Sequence, residues 1–575
     1  MKGTSHTKTG LLLVLAFFVG LIAVPRTASA ALSWGTYTTG YYVPVEPTRL
    51  VDTRTPSAYS FKKLSGNVVR VKVAGQALSG GTGNVPGDTV AAVVNITMVK
   101  PVSKGNVVVY PAGGSVPTAS NVNADAPGRV ISNIAHVKLN DKGFIDIKAS
   151  VTTDIVVDLV GVYRRTTEPT AAGRMVVRPR GTFRAYDSRI SAGPMRANSI
   201  RTIDLSAAGI PASASAVVLA FTAVKGKDRG FFTAYSAAST TPPVPSTVNI
   251  DTPGQTRAAQ AIVKLSGLPR IKVYSKAGGD VLVDVVGWYT GETDAVSENG
   301  LFLPLSAPRR ALDTRSLRSV APWAGSTYEF VDGSILSGRV AAVAANITVT
   351  QPWQNGYITA YAARTKRPTS SNLNVTSWPQ TIANHAVVPM STRGGAVYTY
   401  AGAHMIVDIA GLFTGTPRTT TRSTPVPNPN YARNKAVAVS IPKLGKFLPV
   451  VHGTSGTLTA IADRGVGASF SDLADVAAPG NLMVFAHRTD AGGPFRYIND
   501  LAPGDSFSLI GADGNSYNYV VMSENVTVPS YWNIYGLATL YPPITAQLIA
   551  CSKADGSPTS LSYRLVITGR LVSIT

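Results

Sequence analysis

A threefold internal repeat is the feature that most constrains how the first 415 residues can fold. Closely related segments recur at nearly constant intervals, and every copy ends in a similar apolar run with an aspartate inside it. The closing aspartates, Asp158, Asp284 and Asp408, are 126 and 124 residues apart. Solenoid repeats have periods of about 20 to 50 residues, so a period this long is that of a whole domain. We therefore expect three tandem copies of one domain.

The composition of the copies favours strands. The chain contains 53 Gly and 38 Pro, and only 15% of its residues are charged, which is typical of many short strands joined by turns. Alternating or β-branched runs such as residues 356–361 and 396–400 support this interpretation. The sequence predicts an all-β protein that begins with three β-sandwich-like repeat domains, at residues 31–165, 166–292 and 293–415.

Each copy opens with an Asp-x-Arg triplet, at residues 52–54, 187–189 and 313–315. Residues two apart in an extended chain share a face of the strand, so the aspartate and the arginine can form an ion pair. A buried or half-buried structural ion pair is the favoured interpretation, and a ligand site is the alternative. The closing aspartates are expected at strand ends, where they would form turn hydrogen bonds.

The histidines of the repeats do not indicate a metal site. His136, His385 and His404 do not recur at equivalent positions in the three copies. A repeated metal site needs its ligands at repeated positions, so we expect neither a metal nor a cofactor.

The N-terminus has the layout of a signal peptide. Lys2 and Lys8 precede an apolar run at residues 11–24, and Ala28-Ser29-Ala30 forms a small-residue cleavage site. The apolar run is shorter than the roughly 20 residues that span a bilayer comfortably. We expect residues 1–30 to be a signal peptide, with retention as an uncleaved anchor as the alternative. The protein is thus expected at the extracellular face of the membrane, in the cell wall or secreted.

The positive charge lies mainly on the repeats. The whole chain has a net charge of +22, and residues 31–415 carry about +16 of it. A basic exported surface is suited to anionic wall polymers or lipid headgroups, although the charge could simply maintain solubility. No nucleic-acid partner is expected, because no recognition motif accompanies the charge.

The chain changes character after residue 415. Residues 416–435 are rich in threonine and proline, which predicts an extended linker that lets the next domain move relative to the repeats. The last domain, residues 436–575, again shows strand patterns, for which we predict a closed, mostly antiparallel β-barrel. The strand-like runs are residues 481–486, 517–528, 546–550 and 563–574.

Cys551 is the only cysteine in the chain. An exported protein with one cysteine cannot form an internal disulfide, so the thiol is either a core residue or a reactive group. His487 and Arg564 lie at or near the ends of other predicted strands, where a barrel can bring distant residues together.

Several segments of the last domain carry a family resemblance. Residues 436–575 are similar to sortases, most closely to the class E type of high-GC Gram-positive bacteria, which implies a sortase-type β-barrel. The segments that carry it are 448–451, 465–467, 479–489, 493–496 and 501–505. One departure precedes the thiol. Sortases usually show Thr-Leu-x-Thr-Cys, whereas this chain has Gln547 and Ala550 in place of the two threonines. In the first repeat, residues 47–54 resemble repeated exported surface modules of actinobacterial type.

The chemistry of peptide transfer gives each residue of the trio a role. Cys551 is predicted to be the nucleophile that forms a thioester, and His487 the general acid and base. Arg564 offers a permanently charged fork for the substrate carbonyl or the oxyanion. Its rival Arg570 lies six residues further along the strand, roughly 20 Å away. His452 is interpreted as a surface or structural residue.

The resemblance also implies substrates. These are exported proteins with a C-terminal Leu-Pro-x-Thr-Gly or Leu-Ala-x-Thr-Gly sorting motif, cleaved between Thr and Gly. The acyl group then passes to an amine of a peptidoglycan precursor or a pilin. Two alternatives remain open at this point: a surface adhesin or wall-binding protein with an inactive sortase-like domain, and a hydrolase that cleaves sorting motifs with water.

Overall fold

The computed structural model describes residues 38–78, 81–317, 321–322, 324–331, 338–352, 354–375, 380–426, 435–454, 456–470, 476, 480–512, 514–528 and 544–575. The predicted signal peptide lies outside these residues. Strands dominate the structure, which confirms the all-β class, and the two α-helices among the described residues are the short segments α1 (Thr314–Leu317) and α2 (Leu458–Ala462). Among the described residues, no helix is long and apolar enough to span a bilayer.

Each repeat is a sandwich of two antiparallel sheets, as predicted. The first repeat contains the strands β1 (Thr39–Asp52), β2 (Phe61–Leu64), β3 (Val68–Lys72), β4 (Thr89–Val99), β5 (Gly105–Pro111), β6 (Val122–Ala124), β7 (Val130–Lys138), β8 (Phe144–Ala149) and β9 (Asp154–Thr166). The second contains β10 (Met175–Val177), β11 (Phe183–Asp187), β12 (Ser199–Asp204), β13 (Ala216–Val224), β14 (Gly230–Ser236), β15 (Val248–Ile250), β16 (Arg257–Lys264), β17 (Arg270–Ser275) and β18 (Asp280–Tyr289). The third contains β19 (Phe302–Asp313), β20 (Thr327–Phe330), β21 (Val340–Thr350), β22 (Gly356–Ala362), β23 (Leu373–Val375), β24 (Thr381–Pro389), β25 (Gly395–Thr399) and β26 (His404–Thr414).

The sheets of the three repeats follow one plan. The outer sheets have the orders β2-β3-β8-β5-β6, β12-β17-β14-β15 and β20-β25-β22-β23. In the second repeat the inner sheet is β10-β18-β13-β16, with β11 also paired to β18. The inner sheets of the first and third repeats join into one eight-stranded sheet, β24-β21-β26-β19-β1-β9-β4-β7. The joining pair is β1 with β19, at Gly40 and Phe302.

The repeats share a core where their inner sheets meet. Each sandwich has its own apolar core, and a further cluster draws buried residues from all three repeats, including Tyr163, Tyr289 and Phe413. Polar contacts cross the same junction, because Asn346 Oδ1 accepts from Asn133 Nδ2 at 3.0 Å and Asn95 Nδ2 donates to the Ser246 carbonyl at 3.0 Å. Since the burial of this cluster needs all three inner sheets, the repeats form one packed body.

The opening triplets form the expected ion pairs within a larger network. Asp52 ends β1, and its carboxylate pairs with Arg54 Nη2 at 2.6 Å. Arg49 bridges two aspartates: its Nε lies 2.8 Å from the Asp158 carboxylate, and its Nη1 lies 3.3 Å from the Asp52 carboxylate. The expectation that the closing aspartates sit in turns is wrong: Asp158 is buried within β9 and satisfied by Arg49. A buried carboxylate needs such a partner. Equivalent networks join Arg184, Asp284, Asp187 and Arg189, and Arg310, Asp408, Asp313 and Arg315.

The described part of the predicted linker lies along the repeats. The Arg418 backbone N–H donates to the Met390 carbonyl at 2.9 Å, and its guanidinium donates to the Arg178 carbonyl. Further on, the Thr421 N–H donates to the Arg364 carbonyl at 2.9 Å. Residues 427–434 lie outside the described residues, and movement of the last domain relative to the repeats stays a prediction.

The last domain is a closed barrel. Its strands are β27 (Ala436–Ile441), β28 (Lys446–Gly453), β29 (Gly467–Phe470), β30 (Gly480–Phe485), β31 (Ser506–Gly511), β32 (Ser516–Thr527), β33 (Ile544–Ser552) and β34 (Tyr563–Ile574). They close in the order β27-β28-β29-β30-β33-β34-β32-β31. Two pairs are parallel, β28 with β29 and β30 with β33, and the rest are antiparallel. The barrel interior is filled by buried side chains that include Leu548, Ala550 and Leu565.

Candidate active site

The structure places Cys551 and Arg564 on two paired strands and His487 just beyond the end of a third, adjacent strand. Cys551 lies near the end of β33 and is directly opposite Arg564 of β34 in the antiparallel register. On the other side, β30 runs parallel to β33 with Phe485 beside Ile549, and the Ala486 N–H donates to the Ile549 carbonyl at 3.2 Å. His487 continues β30 by two residues and Cys551 follows Ile549 by two. The thiol strand is therefore flanked by the histidine on one side and the arginine on the other.

The trio lies on the outer face of the barrel wall. Side chains alternate between the two faces of a strand, and Ala550 and Leu565 belong to the barrel interior. Their neighbours Cys551 and Arg564 thus face outward. A small apolar cluster of Met483, Ile549 and Val566, with Phe485 against it, lies on this same outer face. The half-buried thiol therefore lies at the edge of this buried apolar cluster, which we call the apolar floor.

A tight loop fixes the backbone of His487. The Phe495 N–H donates to the His487 carbonyl at 2.9 Å, which closes residues 487–495 into a loop. Phe495 is fully buried in the barrel core and anchors the end of this loop. Gly493 has a φ of +57°, and a Cβ there would come within 2.6 Å of the Arg488 carbonyl oxygen. Both the left-handed backbone and the close approach require glycine at this position.

His487 has a carboxylate partner that the sequence did not indicate. Its Nε2 lies 2.8 Å from Oδ1 of Asp463, a residue that directly follows α2. The His487 side chain is mostly buried, with 18% of its surface exposed, whereas the Asp463 side chain is 58% exposed. No pattern pointed to Asp463, because it is an acidic residue in a turn 24 positions before the histidine.

Arg564 is held at the start of β34. Its Nη1 donates to the Leu561 carbonyl at 2.8 Å and to the Tyr563 carbonyl at 3.0 Å. These two bonds use one nitrogen of a fork that has five N–H donors. The rival Arg570 is exposed and pairs with Thr545, at the opposite end of β33 from the thiol. The register thus favours Arg564 over Arg570 as the partner of Cys551.

Arg488 is a second residue that sequence reasoning missed. Its side chain is almost fully buried and donates to the carbonyl of Arg496, to the carbonyl of Gly556 and to the Asn499 side chain. Burial lowers the pKa of Arg488, while nearby acidic groups and the Cys551 thiol oppose this. Gly556 belongs to the turn after Cys551, so Arg488 ties the loop of the histidine to the loop that follows the thiol. The sequence signal was its position directly after His487.

Gln547 and Ala550, which stand where sortases usually have threonines, lie on different faces of β33. Ala550 packs in the barrel interior, away from Cys551. Gln547 is buried and donates from Nε2 to Thr568 Oγ1 at 3.3 Å on β34. Four residues, or about 13 Å of strand, separate Gln547 from Cys551. Neither side chain is therefore next to the thiol.

The remaining candidates have structural surroundings. His452 is half-buried and its Nε2 donates to the Ala436 carbonyl at 2.7 Å, which fits the structural role predicted for it. In the part of the chain that the structure describes, no group of three or more His, Cys, Asp or Glu side chains is placed to hold a metal ion.

Comparisons with known proteins find sortases that are similar to the last domain. Residues 439–572 match the model of the sortase domain. The curated protein Sortase SrtE1 of Streptomyces coelicolor is 31% identical over 146 residues, a match that covers 23% of this chain and 39% of that protein. The chain thus spans about two fifths of the length of this relative.

Solved structures of sortases are similar to the same part of the chain. A crystal structure of Sortase E1 from Streptomyces coelicolor, with a tripeptide in its active site, is 27% identical and has a TM-score of 0.21. The match covers 24% of this chain and 90% of that one. The SrtA sortase of Actinomyces oris is 18% identical with a TM-score of 0.22, over 27% of this chain and 89% of the other.

Proposed function

We propose that the protein is a sortase-type cysteine transpeptidase of the cell surface, a proposal supported by the match of residues 439–572 to the model of the sortase domain. The observation that carries the proposal is the register of three strands, in which Cys551 of β33 lies opposite Arg564 and beside the strand that leads into His487. These are a nucleophile, an oxyanion donor and a proton carrier on one face of the barrel wall.

The substrate is a sorting motif of Leu-Pro-x-Thr-Gly or Leu-Ala-x-Thr-Gly type near the C-terminus of an exported protein. The Cys551 thiol gives its proton to His487 as its sulfur attacks the threonine carbonyl carbon, and the Arg564 guanidinium stabilises the negative oxygen of the tetrahedral intermediate. The bond to the glycine nitrogen then breaks, His487 gives that nitrogen a proton, and a thioester remains on Cys551.

The second half of the reaction regenerates the thiol. An amine of a peptidoglycan precursor or a pilin attacks the thioester carbonyl, and His487 removes a proton from it. A new amide forms as the bond to sulfur breaks, and His487 passes the proton on to the departing sulfur. The apolar floor beside the thiol supports the proposal, because a partly dry surface strengthens the electrostatic contacts of the intermediate.

A fluorogenic sorting peptide tests the proposal with the full chain. With the peptide and an amine acceptor, the wild type forms an amine-linked product, and Cys551→Ala reduces turnover at least 1,000-fold because the nucleophile is gone. Cleavage that does not depend on the amine would show a hydrolase, and no cleavage would show an adhesin with an inactive domain. Full activity of Cys551→Ala would falsify the assignment of the nucleophile.

The repeats are proposed to bind anionic polymers of the envelope. Their net charge of about +16 supports this, as does a surface cavity of about 330 Å³ on the first repeat lined by Lys72, Lys138, Lys142 and Arg165. Within the described residues, these four cations form no salt bridge. Asp88 and Asp141 also line the cavity, so the four cations leave an excess of two positive charges there, which favours an external anion.

Binding to purified cell walls at low and high salt tests this role. Salt screens the attraction between exposed charges. Binding of the full chain should therefore fall at least about tenfold between about 0.05 and about 0.5 M salt. A variant with Lys72, Lys138 and Lys142 changed to Gln should bind more weakly at low salt. Retention that does not depend on salt would argue against an electrostatic contact.

A further inference from the structure

We propose that Asp463 is a positioning residue that fixes the ring of His487 and the location of its proton. The proposal rests on the proposed function and deepens it. It starts from the 2.8 Å contact between Asp463 Oδ1 and His487 Nε2, which joins the end of α2 to the loop that carries the histidine.

The position of Asp463 is set by its surroundings. Its backbone N–H donates to the Thr459 carbonyl at 2.9 Å, which continues the last turn of α2. The helix packs through Ile461 and Ala462 into an apolar cluster that also contacts Phe485, the last residue of β30. Helix and histidine are thus anchored to the same point of the barrel, since His487 follows Phe485 by two residues.

A second close approach joins the same two segments. Gly465 has a φ of +75°, and a Cβ there would lie 2.9 Å from the carbonyl oxygen of Ala491, in the loop of His487. The turn after α2 therefore meets this loop both at the Asp463 side chain and at the Gly465 backbone. A contact at two points restrains both the distance and the orientation of the carboxylate relative to the ring.

The chemistry of the contact determines the tautomer. An ionised carboxylate only accepts hydrogen bonds, so the ring nitrogen that faces it carries a proton. With Nε2–H held by Asp463, Nδ1 is the nitrogen that changes its protonation during the reaction. In acylation Nδ1 takes the proton of the Cys551 thiol and gives it to the departing glycine amine, and in deacylation it takes a proton from the incoming amine and returns it to the sulfur. Asp463 keeps Nε2–H in place through both steps.

Kinetics of matched variants test this role on the full chain. Because Asp463 is largely exposed, its contact should contribute about tenfold to the rate and not more. Asp463→Ala should lower kcat on the fluorogenic peptide about tenfold while KM stays within about twofold. Asp463→Asn should recover to within about threefold of wild type, because its amide oxygen still accepts from Nε2–H.

The control is Asp490→Ala. Asp490 is an exposed aspartate in the loop of the histidine, and its loss should leave kcat unchanged because it does not contact the ring. A wild-type kcat for Asp463→Ala, or an equal loss in Asp463→Asn and Asp463→Ala, would overturn the positioning role.

A spectroscopic readout separates this inference from the proposed function. In the full chain labelled with ¹⁵N-histidine, two-bond correlations identify which ring nitrogen of neutral His487 carries the proton, with His487→Gln for assignment. The wild type should show the proton on Nε2, and Asp463→Ala should populate both tautomers. A proton on Nδ1 in the wild type would refute the inference. This result does not depend on activity, so a protein that cleaves no sorting peptide would reject the enzyme and still decide the role of Asp463.

Discussion

Ala550 and Cys551 are neighbours in the chain but lie on opposite faces of the barrel wall. Ala550 is packed in the interior with Leu548 and Leu565, and Cys551 faces the side on which His487 and Arg564 lie. The difference from the usual sequence before a sortase thiol therefore concerns the packing of β33 more than the reacting atoms.

Restoring the usual threonine tests this separation. Ala550→Thr should change kcat by less than about threefold, because the new side chain points away from the thiol. The added atoms enter a filled core, so the melting temperature of the barrel should fall, with a cost of about 1–3 kcal/mol. The measurements are turnover of the sorting peptide and calorimetry of the full chain. A gain of tenfold or more in kcat would show that the residue before the cysteine acts on the chemistry.

At this scale the sequence could predict the residues that bear the chemistry but not those that support them. Cys551 stood out because it has no disulfide partner, and His487 and Arg564 followed from strand ends and a family resemblance. Asp463 and Arg488 could not be predicted, since an exposed acid in a turn and an arginine beside a histidine are common. Their roles arise from contacts between segments that only the folded chain brings together.

The loop of residues 487–495 is the element that joins β30 to the site. Two consecutive glycines in it, Gly492 and Gly493, have φ values of +83° and +57°. A Cβ at Gly492 would meet nothing within 4 Å, whereas a Cβ at Gly493 would come within 2.6 Å of the Arg488 carbonyl oxygen. The two positions therefore share backbone strain and differ in steric contact.

This difference gives a matched pair of variants. Gly492→Ala should cost about 1–2 kcal/mol from the left-handed backbone alone. Gly493→Ala should cost about 1–3 kcal/mol more, because the loop must move away from Arg488, and kcat should fall with it. Calorimetry and peptide turnover measure both effects. An equal loss of unfolding free energy in the two variants would contradict the close approach described for Gly493.

Elements were predicted well where their side chains alternate. The run at residues 563–574 is a strand with those same limits, and its alternate residues Leu565 and Ile567 face the barrel core. The closing aspartates were misplaced, since an aspartate among aliphatic residues resembles a strand end. Only the long-range contact of Asp158 with Arg49, 109 residues earlier, allows the carboxylate to lie within a buried strand.

For the whole molecule, the junction of the repeats contains two buried histidines. The rings of His136 and His385 stack with their centroids 4.7 Å apart. Burial lowers the pKa of His385 to about 3 and the pKa of His136 well below its ordinary value. Both rings are therefore neutral in the folded protein at neutral pH, while the unfolded chain binds protons near pH 6.5.

The stability of the repeats should depend on pH accordingly. Since both folded-state pKa values lie below the unfolded value, the full stability is present above about pH 6.5 and is lost as the pH falls towards about 3. Each histidine costs about 1.4 kcal/mol per pH unit only well below pH 6.5. Because the histidines of the unfolded chain are half protonated at pH 6.5, the pair costs about 2 kcal/mol between pH 6.5 and 5.5. Calorimetry of the full chain across this range measures it. His385→Leu should roughly halve the change of the unfolding free energy with pH. An unfolding free energy that is constant from pH 6.5 to 5.5 would contradict the burial of the pair.

Three neighbouring strands of the eight-stranded sheet are paired at one level, where Gly40 lies beside Phe302 and Phe302 beside Phe413. This pairing has a mechanical consequence. The point where the chain enters the repeats and the point where it leaves them are two strand spacings apart, or about 10 Å. The repeats therefore do not form a stalk that lengthens with each copy. A pulling force between the two points would load three adjacent strands, β1, β19 and β26, none of which belongs to the second repeat. The distance that the last domain can reach from the entry point is then determined by the linker, and the number of repeats does not extend it.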